Sequence, residues 1–529
     1  MSRQRNGGRV GRSGRAAPGT GLGNRERGAD GEPISPDLAT SRGKIADAFD
    51  RCEDLVILDW RYGPDLAYGA FSVYFSTLIQ EKKCNYMKES LQDLVDREVG
   101  RGETLSPEDV IDFFGRNGVS AQSATVLDHY EDAVHDILDG AIVIFFSGWD
   151  RVLSYNAMNV TMREVSESIT EPVVQGPRMS SVEELDKNIG LLRSLLKSPN
   201  FKLETFVTGR ESRRDVAYGY LEGAVNPETL EEFKRRIADV GEEEILETSY
   251  LEEWIGEAKY SPFPQVRYTE RPDVCVAALL DGKIVVMVHG TPTLMICPGL
   301  FFEYFSASED YYHRPLFSSL IRLLRVGAFF IALLLPSSYI AMTTFHSELI
   351  PTVLLLAILD TREGIPFPAF AEALLMEFFF EVLREAGIRM PRPIGSAVSI
   401  VGALVIGQAA IQAKIASPVM VIVVALTGIA SFALPQYNMG IALRILRFPL
   451  MLLAASLGGL GIMIGLLLMM LHLTCQRSLG QPYLSSVEPL DVRRLRDILV
   501  VVPRKLLTHA PRNRHRHGRA SASGKGRIR

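Results

Sequence analysis

Three glutamates, Glu372, Glu377 and Glu381, interrupt the otherwise apolar, phenylalanine-rich stretch "FPAFAEALLMEFFFEVLREAGIRMPRP" at 367–393. A carboxylate at a bilayer centre costs ~2.5–3.5 kcal/mol, so three facing lipid would cost about 8–10 kcal/mol together. They must face protein, water or a cation. At 100° per residue Glu377, Glu381, Arg384 and Glu385 share one helix face, whereas Glu372 points elsewhere. That face reads as a polar wall of an ion path, as ion pairs within and between helices, or as a helix lying at an interface. In 395–413, Val401, Val405, Gln408 and Gln412 form a second face, apolar above and amide below, suited to a dewetting gate with a polar vestibule or to plain packing. Ser399, Ala403, Gly407 and Ala410 form a small-residue stripe that permits close helix contact.

The other reactive-looking cluster is "TERPD", Thr269, Glu270, Arg271, Pro272 and Asp273. Polar residues around a proline serve either as an acid/base group or as a docking element coupling two domains. With no histidine among them and no metal spacing, the docking reading is favoured. The chain has no GxSxG, HExxH or Walker pattern. "GTGLGN" (19–24) lacks a preceding strand, "RHRH" (514–517) sits in a basic tail, and Asn159-Val160-Thr161 is a sequon by letters only. Five scattered cysteines indicate neither a disulfide framework nor zinc. The expectation is a non-enzyme with no catalytic residues, cofactor or metal.

These groups are carried by a chain of segregated polarity. Mean hydropathy is +0.11 although 22% of the 529 residues are charged. Charge collects in residues 1–300 and the long apolar runs in 326–474. Residues 1–29 carry +6 and residues 504–529 carry +9, leaving −20 between them. The expected domains are a disordered basic tail (1–44), two α/β subdomains (45–150 and 151–312), a helical membrane domain of five or six spans (313–480) and a second basic tail (481–529). Such tails can meet anionic lipid, with no specific nucleic-acid partner. No apolar h-region follows Met1, which argues for a cytoplasmic soluble part.

"DLVILDW" (54–60) and "GAIVIFFSG" (140–148) read as strands and "NYMKESLQDLVDREV" (85–99) as a helix. A second unit starts near Pro172. In "SSVEELDKNIGLLRSLLKS", Ser181 and Glu184 have capping-box spacing, and Val182, Leu185, Ile189, Leu192 and Leu196 make an apolar stripe. "FKLETFVTG" and "DVAYGYLEG" read as strands, followed by a helix that Asn226-Pro227 opens. Pro262, Pro264 and Pro272 make 260–273 a stiff connector. "VCVAALL-DG-KIVVMV" reads as a β-hairpin turning at Asp281-Gly282. Spans are expected at 326–343, 395–413, 418–434 and 448–474, with 349–359 too short to assign. Arg314, Arg322 and Arg325 place the start of the first span on the cytoplasmic side. Six spans would keep the basic end inside, and six is the favoured number.

The runs "SPFPQVRYTERPD", "IVVMVHGTPTLMICP", "EDYYHRPLFSSLIRLLR", "SLGQPYLSS" and the whole of 366–435 carry a resemblance. Over roughly 45–490 the chain resembles the GerA-type spore germination protein family, the A subunits of nutrient germinant receptors. It departs from the family pattern at His289 in "VHGTP" and at "YFSTL" (74–78). The resemblance implies a multi-pass protein of the spore inner membrane with its N-terminal domain cytoplasmic. It also implies a homo-oligomeric, nutrient-gated ion channel partnered by a permease-like B subunit and a C-subunit lipoprotein. An accessory sporulation-stage channel of the same family and a secondary transporter remain open, although the inverted repeats of a transporter are not visible.

Overall fold

The computed structural model describes residues 31–62, 68–79, 124–158, 171, 173, 175–390, 392–485 and 500–501. The expected helix at 85–99, the two charged ends and the sequon lie outside these residues.

Two five-stranded antiparallel sheets form the N-terminal half. The first follows α1 (Leu38–Ala48) and contains β1 (Leu55–Tyr62), β2 (Tyr68–Phe75), β3 (Ala124–Leu127), β4 (Ala141–Phe146) and β5 (Val152–Asn156), with α2 (Tyr130–Leu138) between β3 and β4. The second follows α3 (Leu185–Leu195) and contains β6 (Phe201–Thr208), β7 (Arg214–Leu221), β8 (Arg267–Thr269), β9 (Ile284–Val288) and β10 (Leu294–Cys297). Helices α4 (Pro227–Ala238) and α5 (Thr248–Ile255) precede β8, and α6 (Pro272–Leu280) precedes β9. The strand orders, β1-β2-β4-β5-β3 and β6-β7-β9-β10-β8, are the same order repeated. The chain thus lays down one sheet topology twice, a repeat too diverged to see in the residues.

Burial explains the central strands. Every residue of "AIVIFF" in β4 and of "IVVMV" in β9 is buried, because both faces of each sheet are covered. On one face of the second sheet Leu185, Ile189, Leu192 and Leu196 pack with Leu203, Val285 and Met287, the expected stripe without Val182. On the other, Phe233, Ile237 and Leu251 pack with Val286 and Val288. Asn226 caps α4 by accepting from Glu228 N at 3.0 Å, with Pro227 at the first helical position, as expected.

Several boundaries move. The fold starts before residue 45: Asp37 caps α1 through Thr40 N, and Ile34 and Ile45 enter the first core. β5 extends the first sheet past residue 150 to Asn156. Ser181 is not a cap. Its hydroxyl reaches the carbonyl of Glu270 at 3.0 Å, while the Asn188 side chain holds Val182 at both backbone N and O. The expected hairpin at 281–282 is a helix followed by a strand. Pro272 stands where a helix needs no N–H, and Cys275, Ala278 and Leu279 bury themselves against α3. Gly282, at φ +79°, ends that helix by donating to Leu279 O. Asp-Gly was a helix stop rather than a hairpin turn because both need a left-handed residue.

The C-terminal half is a helix bundle: α7 (Pro315–Thr344), α8 (Thr352–Thr361), α9 (Ala369–Arg389), α10 (Arg392–Gln412), α11 (Pro418–Phe432), α12 (Tyr437–Leu457) and α13 (Gly459–Cys475). Among the described residues two helices, α7 and α12, are long and apolar enough to cross a membrane by length and composition. The apolar run 448–474 is not one helix. Gly458, at φ +61°, folds α13 back along α12, where a Cβ on Gly461 would meet Leu453 O at 2.0 Å. Contacts fix the directions. His346 Nε2 accepts from Gly459 N at 3.1 Å, so α7 ends where α13 begins, far from the sheets. Glu372 meets Ser417 N at that same far end. α7, α9, α10, α11, α12 and α13 therefore run alternately away from and back toward the sheets, and α8 stays at the far end.

After α13 the chain returns to the sheets. β11 (Arg477–Ser478) and β12 (Gln481–Pro482) pair, and Tyr483 is fully buried with its hydroxyl donating to Pro264 O at 2.6 Å. The tail boundary drawn at 481 falls inside this docked hairpin.

Candidate functional site

The proline-rich connector and "TERPD" lie where sheets meet bundle. Tyr304 donates to Pro264 O and Val266 O at 2.9 and 3.0 Å, and Phe263 stacks on His472 near the end of α13. Ser261 Oγ lies 2.8 Å from His472 Nε2. Arg271, 2% exposed, forks onto Asp273 with contacts of 3.1 and 2.8 Å. Asp273 also accepts from the hydroxyl of Tyr312, three residues ahead of α7. Thr269 Oγ1 donates to Glu171 Oε2 at 2.6 Å, and Gln436, at the cap of α12, reaches Glu171 Oε1 at 3.4 Å. The Glu270 carbonyl accepts from Ser180 and Ser181. Burial pushes the Glu171 carboxyl above its usual range, against the opposing pull of Thr269, Arg267 and Arg271. Thr269, Glu270, Arg271 and Asp273 are thus tied to the segment before α3, to the entrance of α7, or to their own turn, and Pro272 opens α6.

Beside this joint, Asp310 is buried between Arg322 and Arg325, at 3.0 and 2.7 Å. Two of the arginines used to orient the first span are therefore internal ion-pair members, held in the protein rather than offered to headgroups. A cavity of about 400 Å³ opens between the layers, lined by Glu171 and Arg267 from the sheet side and by Arg325, Arg384 and Arg444 from the bundle.

Inside the bundle the glutamates meet arginines. Glu377 pairs with Arg447 and Glu381 with Arg444 at 2.7 Å, so two acids on α9 face two bases on the antiparallel α12. Glu381 is also held by Arg384 of its own helix. Glu372, fully buried, accepts from Arg362 Nη2 and from Ser417 N, each at 3.0 Å, away from that ladder. The ion-pair reading describes the observed contacts of all three glutamates. Glu377 Oε1 and Arg447 Nε have no hydrogen-bond partner among the described residues, and such buried atoms call for water.

The second sequence face is placed differently. Val405, Gln408 and Gln412 are exposed on the outside of the single chain, and the Val401 side chain lies outside the described residues. Gly407 and Ala410, the buried part of the small-residue stripe, pack toward α11, where a Cβ on Gly407 would lie 3.6 Å from Val421.

A further buried pair joins the two sheets. Arg193, 1% exposed, forks onto Asp54 at 2.6 and 2.7 Å and lies over the Phe75 and Phe201 rings. Thr77 of "YFSTL" donates to the same aspartate at 3.1 Å, so that departure from the family pattern falls on the seam between the repeats. The other departure, His289, is exposed, and its carbonyl accepts from Arg214. Sequence reasoning missed Asp54, Arg193, Glu171, Arg267 and Asp310, which carry no local signature. Arg444 and Arg447 did have one: two bases in an apolar run, spaced to answer Glu377 and Glu381.

Comparison with known proteins agrees with the resemblance. The family described as Bacillus/Clostridium GerA spore germination protein matches residues 43–513. Spore germination protein KA of Bacillus subtilis (strain 168) is 39% identical over 471 residues, 89% of this chain and 85% of its own. The uncharacterized membrane protein YfkQ of the same organism is 39% identical over 481 residues, 90% of this chain and 91% of its own. Spore germination protein A1 of that organism is 36% identical over 435 residues, 82% of this chain and 88% of its own. Among solved structures, the N-terminal domain of the A subunit of the Bacillus megaterium spore germinant receptor GerK3 matches with a TM-score of 0.40 and 24% identity, covering 51% of this chain and 98% of that one. With similarity running through both the paired sheets and the helix bundle, the chain belongs to the GerA family of spore germination proteins.

Proposed function

We propose that this protein is the A subunit of a spore germinant receptor, in which the paired sheets face the cytoplasm and the bundle crosses the spore inner membrane six times. Several copies, with a permease-like B subunit and a C-subunit lipoprotein, enclose an ion path that opens when nutrient arrives. The observation that carries this reading is the inverted polarity of the bundle. Four of its charges are buried, Glu372, Glu377, Arg322 and Arg447 at 3% exposure or less, while the apolar Leu323, Ile429 and Met463 stand out at more than 60%. Lipid solvates such a surface and water does not. Helices of 21 residues span about 31 Å, the thickness of a hydrocarbon core. The alternating directions put the entrance of α7 and the exit of α13 on the sheet side. The joint around Arg271 is the element through which sheets and helices influence one another.

The test is cation flux from liposomes holding the protein with its B and C partners, with and without nutrient. Nutrient-dependent flux is expected, and silent liposomes containing all three proteins would overturn the channel reading. For the joint, Arg271→Ala at normal protein level is expected to blunt nutrient-triggered cation release. Unchanged release would remove Arg271 from the coupling.

A further inference from the structure

The cavity between sheets and bundle holds more positive charge than its own carboxylates neutralise. Asp310 serves both Arg322 and Arg325, and Glu381 serves both Arg384 and Arg444, so each acid is shared by two guanidinium groups. Arg384 is 91% buried at its side chain, lines the cavity, and its Nε has no partner among the described residues. Arg267 Nε, on the edge strand β8, is likewise buried without one. The N-terminus of α12 opens on the same space through Gln436, Tyr437 and Gly440, adding the positive end of a 21-residue helix. Two carboxylates also line it. Glu171 accepts from Thr269 and Gln436 and also lies within Coulombic reach of Arg267, and Glu309 sits on the turn before α7. The remaining wall mixes apolar Val173, Val274, Phe432 and Leu434 with the hydroxyl-bearing Ser306, Ser308 and Ser431.

We propose that this cavity binds a small oxyanion, a phosphate or carboxylate group, between the Arg267 and Arg384 guanidinium groups and the first turn of α12. Its volume, about 400 Å³, lies in the range of small-molecule sites and leaves room for more of the ligand than the charged head. Because Arg267 belongs to the sheets while Arg384 and α12 belong to the bundle, the bound group ties the two layers together. An occupied site favours the docked arrangement described above, which makes the anion a regulator of the joint. The head could belong to a free solute or to an anionic lipid at the sheet-side end of the bundle, and the chemistry of recognition is the same.

The full chain, purified in detergent, is titrated with inorganic phosphate and followed by calorimetry. In parallel it is offered phosphatidylcholine vesicles with and without phosphatidylglycerol. Saturable phosphate binding is expected, weakened about tenfold or more in Arg267→Gln and in Arg384→Gln, because a hydrogen bond to a charged group is lost. The control Arg235→Gln, on the exposed face of α4, leaves it unchanged. A preference for phosphatidylglycerol that both cavity variants lose assigns the head to lipid and supports the site. Circular dichroism reports folding, and Arg267→Gln carries the test if Arg384→Gln does not fold. Absence of both phosphate binding and phosphatidylglycerol preference, or binding that Arg267→Gln leaves intact, overturns the proposal. Binding is read without conductance, so this site and the channel reading fail separately.

Discussion

The paired sheets and the helix bundle bury opposite things. In the sheets, Ile142, Val143, Ile144, Val285, Val286 and Met287 are fully buried, and the pairs beneath the surface are few among the described residues, Arg193–Asp54 between the repeats, Lys283–Glu303 ahead of β9 and Arg271–Asp273 at the joint. In the bundle a large share of the apolar side chains faces outward, and the interior is stitched by Glu372–Arg362, Glu377–Arg447 and Asp310 with two arginines, with the half-exposed Glu381 on Arg444 beside them. One half is organised by water outside it. The other is organised as though hydrocarbon were outside, where a charge is costly everywhere except beside its counter-charge.

The strongest way to break this contrast is to orphan a buried charge in each half. Glu377→Ala leaves Arg447 unpaired and Asp54→Ala leaves Arg193 unpaired, and each is expected to lower stability by ~3–5 kcal/mol. The double replacement Glu377→Met with Arg447→Leu is expected to recover most of the loss in denaturant titrations of the detergent-solubilised protein. No recovery would mean that the pair is not exchangeable for apolar packing. Next comes the outer surface. If the bundle is membrane-embedded as proposed, Ile429→Lys is expected to reduce membrane insertion by ~2.5–3.5 kcal/mol, whereas Val207→Lys, exposed on the sheet half, stays within about 0.5 kcal/mol. Equal tolerance of the two lysines would erase the distinction between the surfaces.

Smaller effects sharpen it. Glu171 binds its proton more tightly folded than unfolded, so the folded state holds more protons and stability falls as pH rises through the elevated folded pKa. That slope is at most ~1.4 kcal/mol per pH unit, and Glu171→Gln should remove it from pH-dependent melting curves. A slope unchanged in the variant assigns the pH dependence elsewhere. Last, helix caps should act alike in both halves. Asn226→Ala on α4 and Ser417→Ala on α11, each deleting a side-chain acceptor for a first-turn N–H, are expected to cost ~1 kcal/mol apiece by chemical denaturation. A cost at Ser417 several times larger would show that the low-polarity bundle penalises an unmet N–H more heavily.

Local signals were legible where one physical cause acted alone. The strands β1, β4, β6 and β7, the Asn226 cap, the stripe on α3 and the apolar cores of α7, α10 and α11 were readable from burial periodicity and proline position. Misreadings arose where two structures share a requirement, as at Asp281-Gly282. They also arose where a partner distant in sequence cancels a local penalty, as in α12. The apolar run starts at 448, after Arg444 and Arg447, whereas the helix starts at Tyr437 and α9 supplies the counter-charges of both arginines across 63 and 70 residues.

By themselves the residues determined the division into a water-facing half and an apolar half, and the necessity that Glu372, Glu377 and Glu381 be compensated, because burial costs and helical pitch are properties of each segment alone. Only the tertiary structure decided who compensates them, that the sheet order is laid down twice, and that "TERPD" sits against the entrance of α7 beside an arginine-lined cavity. Those are facts about which distant segments meet. Coulombic pairing over 3 Å depends on the path of the whole chain, and no window of sequence contains that path.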